Sequence, residues 1–375
     1  MRRVHCGENP HDGRRFARAE RTGAVREVYA LDDGRTAGSG GMVEETKLVK
    51  RDARPSKRGG LIRRLAAVAL FLTIGTGVSC VFTRPSRARI GVAPAALDAE
   101  SVAFPSASGA LLHAWFAPGR ARGGAVLLLH GVGADRRVML DRARFLRAEG
   151  YAVLLPDFQA HGESAGQYIT FGALESRDAL AALAYLRARA PGEPVGIVGV
   201  SMGGAAAVLA NEHGAVANAY VLESMYPTIR DAVHDRLRAW LGPIGPVLGR
   251  PLIGLVGAQT GIVADSLRPI DRIGQLGAPV LVAAGTRDRY TTIAESESLY
   301  ERASAPKEFW AVEGAAHVDL YAYAGAEYER RVGSFLARYL RPATTTARGE
   351  DAAAGVLAVA DSGANPNSRR PIGDR

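Results

Sequence analysis

From about residue 92 onward, short uninterrupted apolar runs alternate with longer stretches in which apolar residues recur every three or four positions. The apolar runs at 125–129, 151–155, 195–200, 219–222, 280–284 and 309–312 predict buried strands. The periodic stretches at 136–149, 174–189, 294–303 and 328–340 predict helices, and Pro191-Gly192 ends the second of them. Two strand-like runs at 102–104 and 111–116 bracket Ser106-Ala107-Ser108-Gly109 and predict a hairpin. Fully apolar strands alternating with amphipathic helices predict a mostly parallel sheet covered by helices on both faces. The alternation is interrupted at about 226–273 by a segment rich in Pro, Gly and large apolar residues, which predicts a small cap insertion. Residues 1–60 and 343–375 lack sustained periodicity and are expected to be disordered.

One run differs from all of these. Residues 65–82 contain 18 consecutive residues without a charge, enough at about 1.5 Å per residue to span a hydrocarbon core. Eight basic residues (Lys47, Lys50, Arg51, Arg54, Lys57, Arg58, Arg63, Arg64) precede it, and three (Arg84, Arg87, Arg89) follow it. Residues 61–84 are therefore expected to be a membrane anchor or a signal segment. The basic asymmetry keeps the N-terminus in the cytoplasm and puts the following domain outside. A secreted domain, released by cleavage, is the alternative location. A chain starting at residue 92 is expected to be soluble and active.

Charge follows the same division. Of the 47 Lys+Arg, 19 lie in residues 1–90, against nine of the 38 Asp+Glu, so that segment carries +10 and the remainder −1. The basic pI therefore belongs to the N-terminal segment, and a nucleic-acid substrate is not expected. Two cysteines, Cys6 and Cys80, give neither a disulfide framework nor a cysteine metal site.

The candidate chemistry centres on Gly199-Val200-Ser201-Met202-Gly203, set between a predicted strand and the helical run that begins at Gly204. A serine on such a strand-to-helix turn is an exposed nucleophile, and the flanking glycines let strand and helix close on each other. Serine needs a base. His317, in the loop after strand 309–312, is the candidate among eight histidines. The base needs an orienting carboxylate. Asp288 directly follows strand 280–284 and lies between the serine and the histidine in the chain, the order used with this turn. Glu223, at the end of strand 219–222, is the alternative acid. The backbone N–H groups of Val132 and Met202 are the candidate oxyanion donors. His130 and His161 are expected to support loops. Gly131-Val132-Gly133 lacks the third glycine of a dinucleotide fingerprint, because Arg136 occupies that position.

The segments HGVGADRRVMLDRARFLRAEGYAVLLPDFQAHGES, GVSMGG, PVLVAAGTRD and VEGAAHVDLY resemble serine hydrolases of the α/β-hydrolase superfamily. The similarity is to the branch that holds monoacylglycerol-lipase-like and serine-aminopeptidase-like proteins, and it covers about residues 92–341. It implies the α/β-hydrolase fold, with Ser201, Asp288 and His317 as triad and Val132 and Met202 as oxyanion donors. It implies no cofactor and no metal. The implied activity is hydrolysis of a small-molecule acyl ester through an acyl-enzyme. The alternatives are a peptidase or amidase of the same fold, which predicts acidic residues placed to hold a substrate amine, and a membrane-tethered, non-catalytic binding protein. One departure from the family pattern is that Thr291-Thr292 stand where a proline often follows the acid.

Overall fold

The apolar runs assemble into one eight-stranded sheet in a computed structural model that describes residues 4–8, 15–21, 24–29 and 57–341. Its strands are β1 (Glu100–Pro105), β2 (Leu111–Ala117), β3 (Ala125–Leu129), β4 (Ala152–Pro156), β5 (Val195–Val200), β6 (Ala219–Glu223), β7 (Val280–Gly285) and β8 (Lys307–Val312). Their spatial order is β1-β2-β4-β3-β5-β6-β7-β8. Strand β2 runs antiparallel to β1 and β4, and every other pairing is parallel. Every residue of β3, β4, β6 and β7 is buried, which is why these segments read as continuous apolar runs.

Successive strand residues face opposite sides, so alternate residues of one strand feed two different cores. Leu127, Leu129 and Ile197 pack with α2 (Ala173–Arg189) and α3 (Met202–Ala210) on one face. Val126, Leu128 and Val198 pack with α1 (Leu140–Glu149) and α7 (Leu320–Leu340) on the other. Helix α7 alone buries Tyr328, Val332, Phe335 and Leu336, each contributing roughly 1.5–3 kcal/mol. It begins eight residues before the predicted start. Asp319 caps it by accepting from the N–H groups of Tyr321 (2.9 Å) and Ala322 (3.2 Å). A non-helical Gly325 (φ 38°, ψ −108°) kinks the helix into two pieces, which breaks the periodicity that would have announced the first piece.

The insertion between β6 and β7 is a helical hairpin, α4 (Ile229–Leu241) and α5 (Gly245–Thr260). Helix α5 folds back on α4 so closely that a Cβ at Gly245 would lie 2.2 Å from the Leu237 carbonyl oxygen. Its arms of 13 and 16 residues are each too short to cross a bilayer. Helix α6 (Ile293–Arg302) follows β7.

The chain divides into two units, Met1–Phe71 and Leu72–Arg375. In the first, Val4–Glu8, Arg15–Arg21 and Ala24–Tyr29 form an antiparallel three-stranded sheet. These strands fall within residues 1–60, where disorder was expected. They are short stretches holding Val, Phe and Tyr, too brief to set up a sustained period. Residues 1–3, 9–14, 22–23 and 30–56 of that region, and the expected disordered tail at 343–375, lie outside the described residues. A helix, Lys57–Thr83, contains the uncharged run, and its Gly60–Thr83 portion is long and apolar enough to cross a membrane.

The second unit begins 20 residues earlier than the expected domain start at 92. Ser86–Arg87 pairs in parallel with His161–Gly162, and the N–H groups of Ile90 and Gly91 each donate to Glu163 Oε1 at 3.0 Å. Ser79 Oγ donates to Gln259 Oε1 of α5 (2.6 Å), and Phe82 stacks on Trp240 of α4. A chain cut at residue 92 would lose all of these contacts.

Glu223 is fully buried at the end of β6. It accepts from Arg142 Nη2 (2.6 Å) and the Tyr328 hydroxyl (2.5 Å), tying α1 and α7 to the sheet. Its loss strands a buried guanidinium, whose other carboxylate, Asp319, is partly exposed. Glu223→Gln is expected to destabilise the domain by about 3 kcal/mol and lower Tm by roughly 5 °C or more. An unchanged melting curve would contradict this structural role.

Candidate active site

The turn between β5 and α3 holds Ser201 at φ 51° and ψ −114°, a strained conformation for a residue with a Cβ, costing about 1–3 kcal/mol. Strand and helix close so tightly around it that the flanking positions admit no side chain. A Cβ on Gly199 would lie 2.6 Å from the Gly204 nitrogen, and one on Gly203 would lie 2.3 Å from the Leu129 carbonyl oxygen. The Ser201 N–H donates to the Glu223 carbonyl oxygen (2.7 Å), fixing the turn to the next strand.

His317 lies in the loop after β8, and Asp288 in the loop after β7. The His317 Nδ1–H donates to Asp288 Oδ2 at 2.7 Å. Burial alone would raise the Asp288 carboxyl. The His317 bond and charge, with the N–H groups of Thr291 and Tyr290, more than offset it and bring the group below its ordinary value. Asp288 is thus held as a carboxylate against the imidazole. Ser201 and His317 line one cavity, with no hydrogen bond between Oγ and the ring. Such bonds are often long in unliganded sites. Glu223, the alternative acid, makes its bonds to Arg142 and Tyr328 and none to His317.

Thr291, which departs from the family pattern, has a definite task. Its hydroxyl donates to Asp288 Oδ2 at 2.8 Å, a bond that a proline could not make. Thr292 then caps α6 in a reciprocal box with Glu295. The Thr-x-x-Glu spacing is a readable helix start, whereas the Thr291 bond depends on loop geometry and left no sequence signal.

Val132 and Met202 line the same cavity as Ser201. The Met202 N–H belongs to the first turn of α3, whose donors have no partner within the helix. Two buried histidines brace the Val132 loop. His130 Nε2 accepts from the Phe158 N–H (3.1 Å), and burial, with His161 beside it, drives its pKa down to about 3. His161 Nε2 accepts from the Gly133 N–H (3.1 Å), while its Nδ1–H donates to the Gln159 carbonyl (2.9 Å). Burial lowers the His161 pKa as well, so both rings stay neutral and keep an acceptor nitrogen. Arg136 is fully buried, joined to Asp157 (2.5 Å) and Glu163, and anchors the helical turn that follows the loop.

The cavity has a volume of about 630 Å³. Its walls are mostly apolar, with Ile229, Val233 and Leu237 from α4, Leu252 and Val256 from α5, and Phe82 from the N-terminal helix. No Asp or Glu lines it among the described residues, whereas Arg84, Arg87 and Arg236 do. Among the described residues no group of three or more His, Cys, Asp or Glu is placed to hold a metal ion.

His161→Ala is expected to lower kcat toward an ester about tenfold with little change in KM, because the Gly133 N–H loses its acceptor and the loop loosens. His161→Gln, which can return an acceptor, should recover part of the loss. Equal loss in both variants would mean that the ring acts through packing alone.

A family model described as serine aminopeptidase, S33 matches residues 120–255. An uncharacterized protein of Mycobacterium tuberculosis, Rv2307c, is 30% identical over 273 residues, which are 68% of this chain and 89% of that protein. YqkD of Bacillus subtilis, also uncharacterized, is 27% identical over 216 residues, 56% of this chain and 70% of its own length. Among solved structures, the Pyrococcus furiosus esterase Pf2001 superposes with a TM-score of 0.56 at 24% identity, covering 68% of this chain and 99% of that one. With the strand order and the helix-covered, mostly parallel sheet, these likenesses show that the chain belongs to the α/β-hydrolase superfamily, in the group that the serine aminopeptidase S33 model describes.

Proposed function

We propose that the protein is a serine hydrolase of carboxylic esters that works through an acyl-enzyme. The observation that carries this reading is the 2.7 Å His317–Asp288 bond, with His317 and the strained Ser201 lining one cavity. In this mechanism His317 Nε2 removes the Ser201 proton as Oγ attacks the ester carbonyl. Asp288 fixes the Nδ1–H tautomer and stabilises the imidazolium. The N–H groups of Val132 and Met202 receive the developing oxyanion. His317 returns the proton to the leaving alcohol, and water then releases the acyl group. The apolar walls suit a lipophilic acyl chain.

The family description favours a second reading, an aminopeptidase. A substrate with a free amine needs a carboxylate to hold it. The described lining contains three arginines and no Asp or Glu, so an ammonium group would meet like charge.

The Gly60–Thr83 helix and the basic excess before it support a membrane anchor with the hydrolase unit outside the cytoplasm. With alkaline phosphatase fused at the C-terminus, activity is expected. A silent phosphatase beside an active cytoplasmic reporter would reverse this topology.

Ser201→Ala is expected to abolish ester hydrolysis and labelling by a fluorophosphonate while leaving Tm within a few degrees. Labelling that persists would remove Ser201 from the mechanism. Asp288→Asn is expected to lower kcat by about 10³–10⁴-fold, through loss of the correct tautomer and of the imidazolium's charge partner. Correctly folded Glu223→Gln should keep a kcat near that of the wild type. The reverse pattern would make Glu223 the acid.

A further inference from the structure

Arg236 projects from α4 into the cavity wall with no carboxylate partner. Its guanidinium lies over the Tyr290 ring, 4.3 Å from the centroid, and 5.9 Å from that of Trp240. Trp240 Nε1 donates to the Tyr290 hydroxyl (3.3 Å), which braces this platform. The other side of the arrangement is the catalytic base, for Tyr290 also meets His317 edge-on, with centroids 5.6 Å apart. The guanidinium is therefore held one aromatic ring away from the imidazole. The two fully buried arginines among the described residues are neutralised. Arg136 has Asp157 and Glu163, and Arg142 has Glu223 and Asp319. Arg236 has two aromatic faces instead. Its partial burial pulls its pKa below the ordinary value, although the charge of Asp288, which is itself bonded to His317, acts the other way. Arg84 and Arg87, also without ion pairs, add positive charge to the same lining.

A guanidinium kept at an apolar cavity without a counter-charge has unused, forked donors, and an anion is what they fit. We propose that Arg236 is a specificity-determining residue that binds an anionic group, phosphate or carboxylate, on the leaving-group side of the ester substrate. This rests on the ester-hydrolase reading above. The substrate class is then an acyl ester with one lipophilic chain, which the cap walls hold, and one charged alcohol portion beside His317. The bond broken is the ester C–O bond. The anionic alcohol departs with the proton that His317 delivers, and water supplies the oxygen that leaves in the free acid.

The test uses full-length protein in detergent and two matched pairs of decanoyl esters. One pair is 1-decanoylglycerol 3-phosphate and 1-decanoylglycerol. The other is the decanoyl ester of 4-hydroxybenzoate and the same ester with its carboxylate methylated. Wild-type protein is expected to prefer the anionic member of at least one pair by tenfold or more in kcat/KM, and which pair shows it separates phosphate from carboxylate. Arg236→Met is expected to reduce that anionic-to-neutral ratio about 10–100-fold, the range for a charge-assisted hydrogen bond. Arg236→Lys should keep part of the ratio as a point charge. The wild-type preference should also shrink as salt rises. Fluorophosphonate labelling of each variant checks that its site is intact. Hydrolysis of both members without preference, or an unchanged ratio in a labelled Arg236→Met protein, overturns the anion proposal and leaves the ester reading standing. No hydrolysis of any ester by labelled wild-type protein overturns both.

Discussion

The arrangement around Ser201 depends on one steric constraint, the close approach of β5, α3 and the end of β3. A left-handed serine persists only where surrounding contacts over-determine it. Here the Gly203 backbone sits against the carbonyl oxygens of Leu129 and His130, and the Gly199 backbone against Gly203 and Gly204. The close approach aims the start of α3 at the cavity and brings the Met202 N–H beside the serine. It also couples the elbow to the loop after β3, which carries Val132.

The rest of the site is assembled from loops at the carboxyl ends of parallel strands, where such folds place their ligands. Val132 follows β3, Ser201 follows β5, Asp288 follows β7 and His317 follows β8. The loops that carry the candidate site need support, and here it comes from hydrogen bonds and ion pairs of buried polar groups. His161 takes the Gly133 N–H, Thr291 takes Asp288, and Arg136 ties Asp157 and Glu163 beneath the turn that follows the Val132 loop. Glu223 sits beside the elbow at the end of β6, yet its carboxylate serves stability because Arg142 and Tyr328 claim it first. Two strand-end carboxylates thus meet different surroundings, Glu223 bonded to Arg142 and Tyr328 and Asp288 to His317.

Much of this was legible in the sequence, since burial on both faces leaves an unmistakable apolar run. The strands were placed to within two residues, and the spacing of Gly199, Ser201 and Gly203 marked the elbow. Interactions between side chains distant in the chain were not legible. Nothing local distinguishes Glu223 from Asp288, because the difference lies in Arg142, 81 positions earlier. The early start of α7 was hidden by Gly325. The role of residues 72–91 was hidden because Ser86–Arg87 adds to His161–Gly162 by backbone pairing, which carries no composition signal. Arg236 carries no signal in the sequence, and only its aromatic surroundings and lack of an ion pair set it apart.

The central claim is that Ser201 carries the acyl group between the two steps. The direct measurement is rapid-quench turnover of a 4-nitrophenyl ester, followed by mass spectrometry of the digested protein. The account predicts a burst of nitrophenol close to one equivalent per active site when deacylation is slow, with the acyl mass on the peptide containing Ser201. Steady turnover with the acyl group on another residue, or with no acyl-protein at any time under burst conditions, would contradict it.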